Sequence, residues 1–264
     1  MFANLESSVR AAGRRVVESY PAATGPLVAL RSWYARAHLL WIRERSRLRH
    51  DAVIDPFRVV WIDLDALELT AEHFEGIPKY RRAGRLAGGD WDQDTERFRD
   101  RTIYRSFAAH FDDGVPWSET EFYESIVDRL ESGESWWDCT TEAEFQERCR
   151  RLDELYDRIA EHGLLSQEEL AAKGYDEPIT KERSSTFSRT LEDEIAVHVG
   201  RNGEFLFCDG RNRLAIAKVL DVDEIPVRIM VRHEEWQAFR DDVAAGRVDP
   251  GEYATHPDVR PLLD

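Results

Sequence analysis

The sequence predicts an α+β fold, on three observations. Between about 95 and 173, apolar residues recur at i, i+3 and i+4, the spacing that places them on one face of a helix. Near 191–209 the pattern changes to short β-rich runs around an Asn-Gly turn. A further β-rich run, "FRVVWID" at 57–63, lies far upstream, so strands flank a helical block.

Residues 1–20 read as a short amphipathic helix, broken by the prolines and glycine of "PAATGP" at 21–26. The stretch 27–50 predicts a basic amphipathic helix with Leu30, Trp33, Tyr34, Ala37, Trp41 and Leu48 near one face. Such a helix suits an anionic membrane or nucleic acid, or else packs its aromatics on the acidic body. "FRVVWIDLDALE" (57–68) begins as a strand and turns helical, and "KYRRAGRLAGGDWDQD" (79–94) runs from basic to glycine-rich to acidic. Helices follow over 94–111, then over 118–133 with a Ser118/Glu121 capping box and Gly133 as stop. A third spans 141–163, capped by Thr140 or Thr141 and ended by Gly163, and "SQEELAAKG" adds a fourth. The Ser-rich stretch 182–190 reads as a lid or connector. "DEIAVHV" alternates, "GRNG" (200–203) turns, and "EFLFC" pairs back. A helix over Arg211–Leu220, a strand over 225–231 and a closing helix over 232–246 complete the pattern.

Charge narrows the function classes. The chain has 264 residues and a formal net charge of -16, from 52 acids against 36 bases, of which only Lys79, Lys173, Lys181 and Lys218 are lysines. Acidic, lysine-poor surfaces suit a salt-adapted protein, because carboxylates keep it dispersed when salt screens repulsion. Residues 1–49 reverse the balance, with nine arginines against three glutamates. The three cysteines form no CxxC pair, so neither a disulfide framework nor a zinc site is expected. No apolar run approaches a membrane span and no signal-peptide core opens the chain, which points to the cytoplasm.

The strongest chemical pattern is "DGRNR", Asp209 to Arg213, between a strand and a helix. Glycine lets the backbone turn without a Cβ in the way of a ligand. The helix start aims unsatisfied N–H groups and a partial positive charge outward. Arginines there oppose the helix dipole, a conflict that a bound phosphate or carboxylate removes and that local acids such as Asp209 or Glu194 would also relieve. The second pattern is "GGDWD" (88–92), where Asp90 and Asp92 on one face of an extended segment suit Mg²⁺ ligation or general-base work. Arg81, Arg82 and Arg85 upstream add candidate anion contacts, and the alternative is a glycine turn into a capped helix. His198, His233 and the "SWWDC" loop at 135–139 read more simply as strand, cap and packing residues.

The hairpin, the Gly210-to-Arg213 turn, "LAIAKVL" (214–220) and "DEIPVRIMV" (223–231) together resemble the signature half of the ParB/sulfiredoxin-like superfamily. The resemblance covers about 191–231 and extends to 57–94, but not to the N-terminal helix or the helical block. It implies a mixed-sheet core at 51–264 with a helical insertion at about 95–175, preceded by a basic segment at 1–50. It also implies a nucleotide (ATP, ADP or CTP) held by its phosphates at Asp209, Gly210, Arg211, Asn212 and Arg213. Gly210 and Arg213 match family positions, whereas Arg211 stands where sulfiredoxin has its catalytic cysteine and Cys208 lies two residues early. A sulfiredoxin reaction is therefore disfavoured. The leading expectation is an NTP- or ADP-dependent phosphotransferase acting on a small-molecule acceptor, with Asp90 and Asp92 as catalytic or Mg²⁺-binding carboxylates. The alternatives are a ParB-like DNA-binding or nuclease protein gripping nucleic acid through helix 27–50, and a nucleotide-gated interaction module.

Overall fold

The longest strand is the one to which the rest of the sheet is fitted. In the computed structural model, which describes residues 24–71, 73–74, 76–137, 139–179 and 186–263, this strand is β7 (Glu224–His233). Along one edge, β1 (Val59–Asp63) pairs antiparallel with its first half and β3 (Arg85–Ala87) parallel with its second. Along the other edge lies β5 (Ile195–Val199), parallel to it, and then β6 (Phe205–Asp209), antiparallel to β5. The short β2 (Leu69–Thr70) runs parallel to β6, with β4 (Glu96–Arg97) antiparallel to β2. The seven strands form one open mixed sheet, so the fold is α+β.

Helices cover both faces, and this explains a departure from the expected alternation in "DEIAVHV". All five residues of β5 are buried, because each side chain enters one of two cores. Ile195, Val197 and Val199 join Phe205, Phe207, Ile225 and Val227 in the larger one. There they meet α3 (Thr102–Phe111), α4 (Glu121–Glu131), α5 (Glu142–His162) and α8 (Arg211–Val219) through residues such as Phe107, Phe122, Phe145, Leu152 and Ile216. Ala196 and Leu206 face a smaller core with Leu39 of α1 (Thr24–Arg47), Tyr80 of α2 (Lys79–Arg82), Trp91 and Leu191. Here α6 is Gln167–Lys173, α7 is Thr186–Glu192 and α9 is Glu234–Ala244.

Helix ends follow local chemistry closely. Thr141 with Glu144 and Ser166 with Glu169 form reciprocal capping boxes at α5 and α6, and Gly163 and Gly174 end those helices. The expected Ser118/Glu121 box is replaced. Ser118 lies in a single 3₁₀ turn, and Thr120 caps α4 by accepting from the Tyr123 N–H. "GGDWD" is a turn rather than an extended segment.

Helix α1 turns a different face inward from the one expected. Ala35, Leu39 and Ser46 are buried, while Leu30, Trp33, Trp41 and Leu48 are exposed at 59%, 67%, 54% and 87%. Small side chains let the helix lie close over Tyr80 and Ala83, and only the Tyr34 and His38 rings reach the Tyr80 edge. The helix expected at 1–20 and much of the 182–190 stretch lie outside the described residues. No helix among the described residues is long and apolar enough to cross a membrane.

Candidate anion-binding groove

The turn from β6 into α8 depends on a single glycine. Gly210 takes φ 94°, and a Cβ there would stand 2.9 Å from the Ile195 Cα of the neighbouring strand. Gly210→Ala is expected to cost about 1–3 kcal/mol of stability, from a strained φ and displaced β5 backbone. Urea unfolding checks it, and an unchanged midpoint would contradict the geometry.

The residues expected to form one cradle separate around this turn. Asp209 accepts from the Gly210 N–H at 2.7 Å and stands 3.1 Å from Lys79 Nζ. Arg211 projects outward, its guanidinium 5.8 and 5.4 Å from the ring centres of Trp136 and Trp137. Asn212 is buried, with no donor to its Oδ1 among the described residues. Arg213 turns inward, a correction to its expected phosphate role. It is 3% exposed, lies 2.9 Å from Glu194 Oε2 and 3.3 Å from Glu177 Oε1, and donates to the backbone of Asp193 and Leu165. With Nη1 and Nη2 hydrogen-bonded to buried partners and Nε beside Glu177, Arg213 belongs to the core. Beside it, burial first and Glu177 second push the Asp193 carboxyl up to about 6, against Lys79 and Arg213.

Asp90 and Asp92 are also committed. Both carboxylates bind Arg201 of the β5–β6 turn. Asp92, with no exposed side-chain surface, takes Nε and NH2 at 2.9 and 2.8 Å together with the Arg201 N–H, and Asp90 takes NH2 at 2.8 Å. Burial would raise the Asp92 pKa, but these bonds hold it well below the ordinary carboxylate range. Such a carboxylate is a clasp between two loops, not a base or an open metal ligand. His198 is buried against Phe74 and Trp91, and burial with Arg82 lowers its pKa to about 3. His233 caps α9. Burial pushes the Cys208 thiol up to about 12, which removes it as a nucleophile near neutral pH.

What the structure does assemble is an arginine groove of about 870 Å³ around Arg211. Helices α3 and α8 pack together, and neither has a side chain capping its N-terminus. Arg101 holds the cap position of α3, where an oxygen-bearing side chain would ordinarily stand. Burial, and then Arg211, lower the Arg101 pKa, so the two cations feel each other across the groove. Arg97 and Arg129 complete the lining, and neither has a carboxylate within 4 Å among the described residues. The Arg129 guanidinium lies 4.4 Å from the Trp136 ring centre, and among the described residues the Trp136 indole N–H has no acceptor. Glu96, Asp100 and Glu121 are the carboxylates of the groove, and Glu121 is taken by Arg105 at 3.0 Å.

The sequence reading singled out Arg211 but missed Arg97, Arg101, Arg129 and Trp136. One usable signal was present: "DRT" at 100–102 opens a helix with arginine where a cap residue is preferred. In comparisons with known proteins, no family model, no curated protein and no solved structure matches this chain.

Proposed function

We propose that the protein binds a nucleotide by its phosphates in the Arg211 groove and passes a phosphoryl group to a small-molecule acceptor. The observation that carries this reading is the convergence of Arg97, Arg101, Arg129 and Arg211 at the joint mouth of two uncapped helices. Guanidinium forks match phosphate oxygens, and helix N–H groups with their partial positive charge add to them. The Trp136 N–H, without an acceptor among the described residues, supplies a further donor. The resemblance of residues 191–231 to ParB/sulfiredoxin-like proteins supports the same reading, with Arg211 in place of Arg213 as the phosphate-facing arginine.

Among the described residues no three histidine, cysteine or carboxylate side chains converge on one point. A magnesium ion nevertheless fits this chemistry, because it is commonly held by one or two carboxylates and the substrate's own phosphates. Glu96 and Asp100 are the groove carboxylates that would take that part, replacing Asp90 and Asp92. Calorimetry with ATP, ADP and CTP in Mg²⁺ is expected to show binding that weakens about 10- to 100-fold in Arg211→Gln, the loss of one or two charge-assisted hydrogen bonds. Absence of binding by all three nucleotides defeats the reading. Binding without ADP release from ATP, with acceptors supplied, returns a nucleotide-responsive module in place of a transferase.

A further inference from the structure

A second cavity, of about 460 Å³, shares no lining residue with the groove. Its walls are Trp41 and Arg45 of α1, Arg49 just after it, Arg81 of α2, Arg85 of β3, and the region around Glu234 where α9 begins. Among the described residues Glu234 is the only carboxylate lining it. His50 also lines it, and its Nδ1 is held by Asp241 at 2.8 Å. Arg45 stacks over Trp41 at 5.1 Å and Arg85 over Phe74 at 5.3 Å. Arg45, Arg49 and Arg85 have no carboxylate within 4 Å among the described residues.

That charge state is out of character for this chain. Acids outnumber bases 52 to 36, and outside the Arg211 groove several arginines are held by carboxylates. Arg201 has Asp90 and Asp92, Arg213 has Glu177 and Glu194, and Arg247 has Asp51 and Asp242. Gathering several like charges in one concavity against a single lining carboxylate costs Coulomb energy, and a bound anion would return it. The field reaches His38, whose pKa is lowered by burial and then by Arg81.

We infer that this cavity binds a compact phosphate-bearing polyanion, a phosphomonoester or polyphosphate. Its oxygens lie between Arg45, Arg49 and Arg85, with the exposed Trp41 side chain beside any organic remainder. The volume falls in the range of small-ligand pockets, about 300–1,000 Å³. This site is separate from the nucleotide groove and stands or falls without it.

The test is calorimetry on the full chain at low salt with tripolyphosphate as probe, in an Arg211→Gln background that disables the groove. Binding is expected to persist there and to weaken tenfold or more when Arg45→Gln and Arg85→Gln are added. The thermal midpoint should hold or rise, because both side chains are exposed and their mutual repulsion is relieved. No binding in that background, or an affinity unchanged within twofold in the triple variant, overturns the site. Vesicles of phosphatidylcholine with phosphatidic acid separate the two sources. Capture reversed by tripolyphosphate assigns the phosphate to a lipid headgroup, and tripolyphosphate binding without capture assigns it to a soluble ligand. Duplex DNA that binds this face while tripolyphosphate does not would overturn the compact site in favour of a phosphodiester track.

Discussion

Replacing Arg213 with methionine is expected to lower the free energy of unfolding by about 3–5 kcal/mol, as for other buried ion pairs broken from one side. Arg213 and its two carboxylate partners, Glu177 and Glu194, have side chains no more than 3% exposed. Gln167 donates to both carboxylates, through its side chain to Glu177 and its backbone to Glu194, so neither can move into solvent when the cation goes. Burial already raises the Glu194 pKa, with Arg213 opposing. Without Arg213 the folded-state value rises further above the unfolded one. A carboxyl raised in this way stabilises the fold less as pH climbs, so the deficit of the variant is expected to narrow on acidification. Urea titrations at several pH values read both effects. A deficit below 1 kcal/mol at neutral pH would show that Arg213 is not the core cation described here. Adding Glu194→Gln to Arg213→Met should recover part of the loss, since the double variant buries one fewer unpaired charge.

An equally large effect is expected at the other end of the sheet. Asp258, fully buried, accepts from Arg232 Nε and NH2 at 2.8 Å each and from the Trp236 indole at 3.0 Å, with Arg240 Nε 3.2 Å away. One carboxylate from the C-terminal tail thus neutralises two arginines, one on β7 and one on α9. Asp258→Ala is expected to cost about 3–5 kcal/mol, because it leaves both cations buried beside each other. Burial pushes the Asp258 carboxyl up, but Arg232 and Arg240 more than reverse this and hold it well below the ordinary range. Its contribution is therefore complete above the unfolded carboxylate pKa and lost as pH falls towards the folded value. Asp258→Asn should accordingly flatten the acid limb of the stability curve. A variant whose pH profile parallels the wild type would exclude the clasp.

The parts of this fold legible in the sequence are those whose causes are local. The Thr141 cap, the Gly163 stop and the "GRNG" turn each depend on a few neighbouring residues, and each appears where expected. The site residues were less legible because their partners are distant. Arg201 lies 109 positions from Asp92, and nothing within "GGDWD" announces it. Arg213 resembled a phosphate ligand by motif, yet the alternative partner Glu194, 19 residues upstream, is the one that draws it inward. Helix α1 misled in another way. Most of its large apolar residues mark the solvent face, while the small Ala35 and a single leucine, Leu39, mark the close contact. The groove arginines escaped notice because Arg97, Arg101 and Arg129 are ordinary surface residues until packing of α3 on α8 brings them to one mouth.

The position of β7 also governs the order in which the chain can fold. β1 and β3 have no strand partner other than β7, which is made more than 130 residues after them. A growing chain therefore holds both β-rich segments unpaired while the local helices α3 to α6 form. Closing the sheet is left to a late step of high sequence separation, the kind that folds slowly. A protein built this way exposes its unpaired strand segments longest during synthesis, and its exposure to misassembly is greatest on the ribosome.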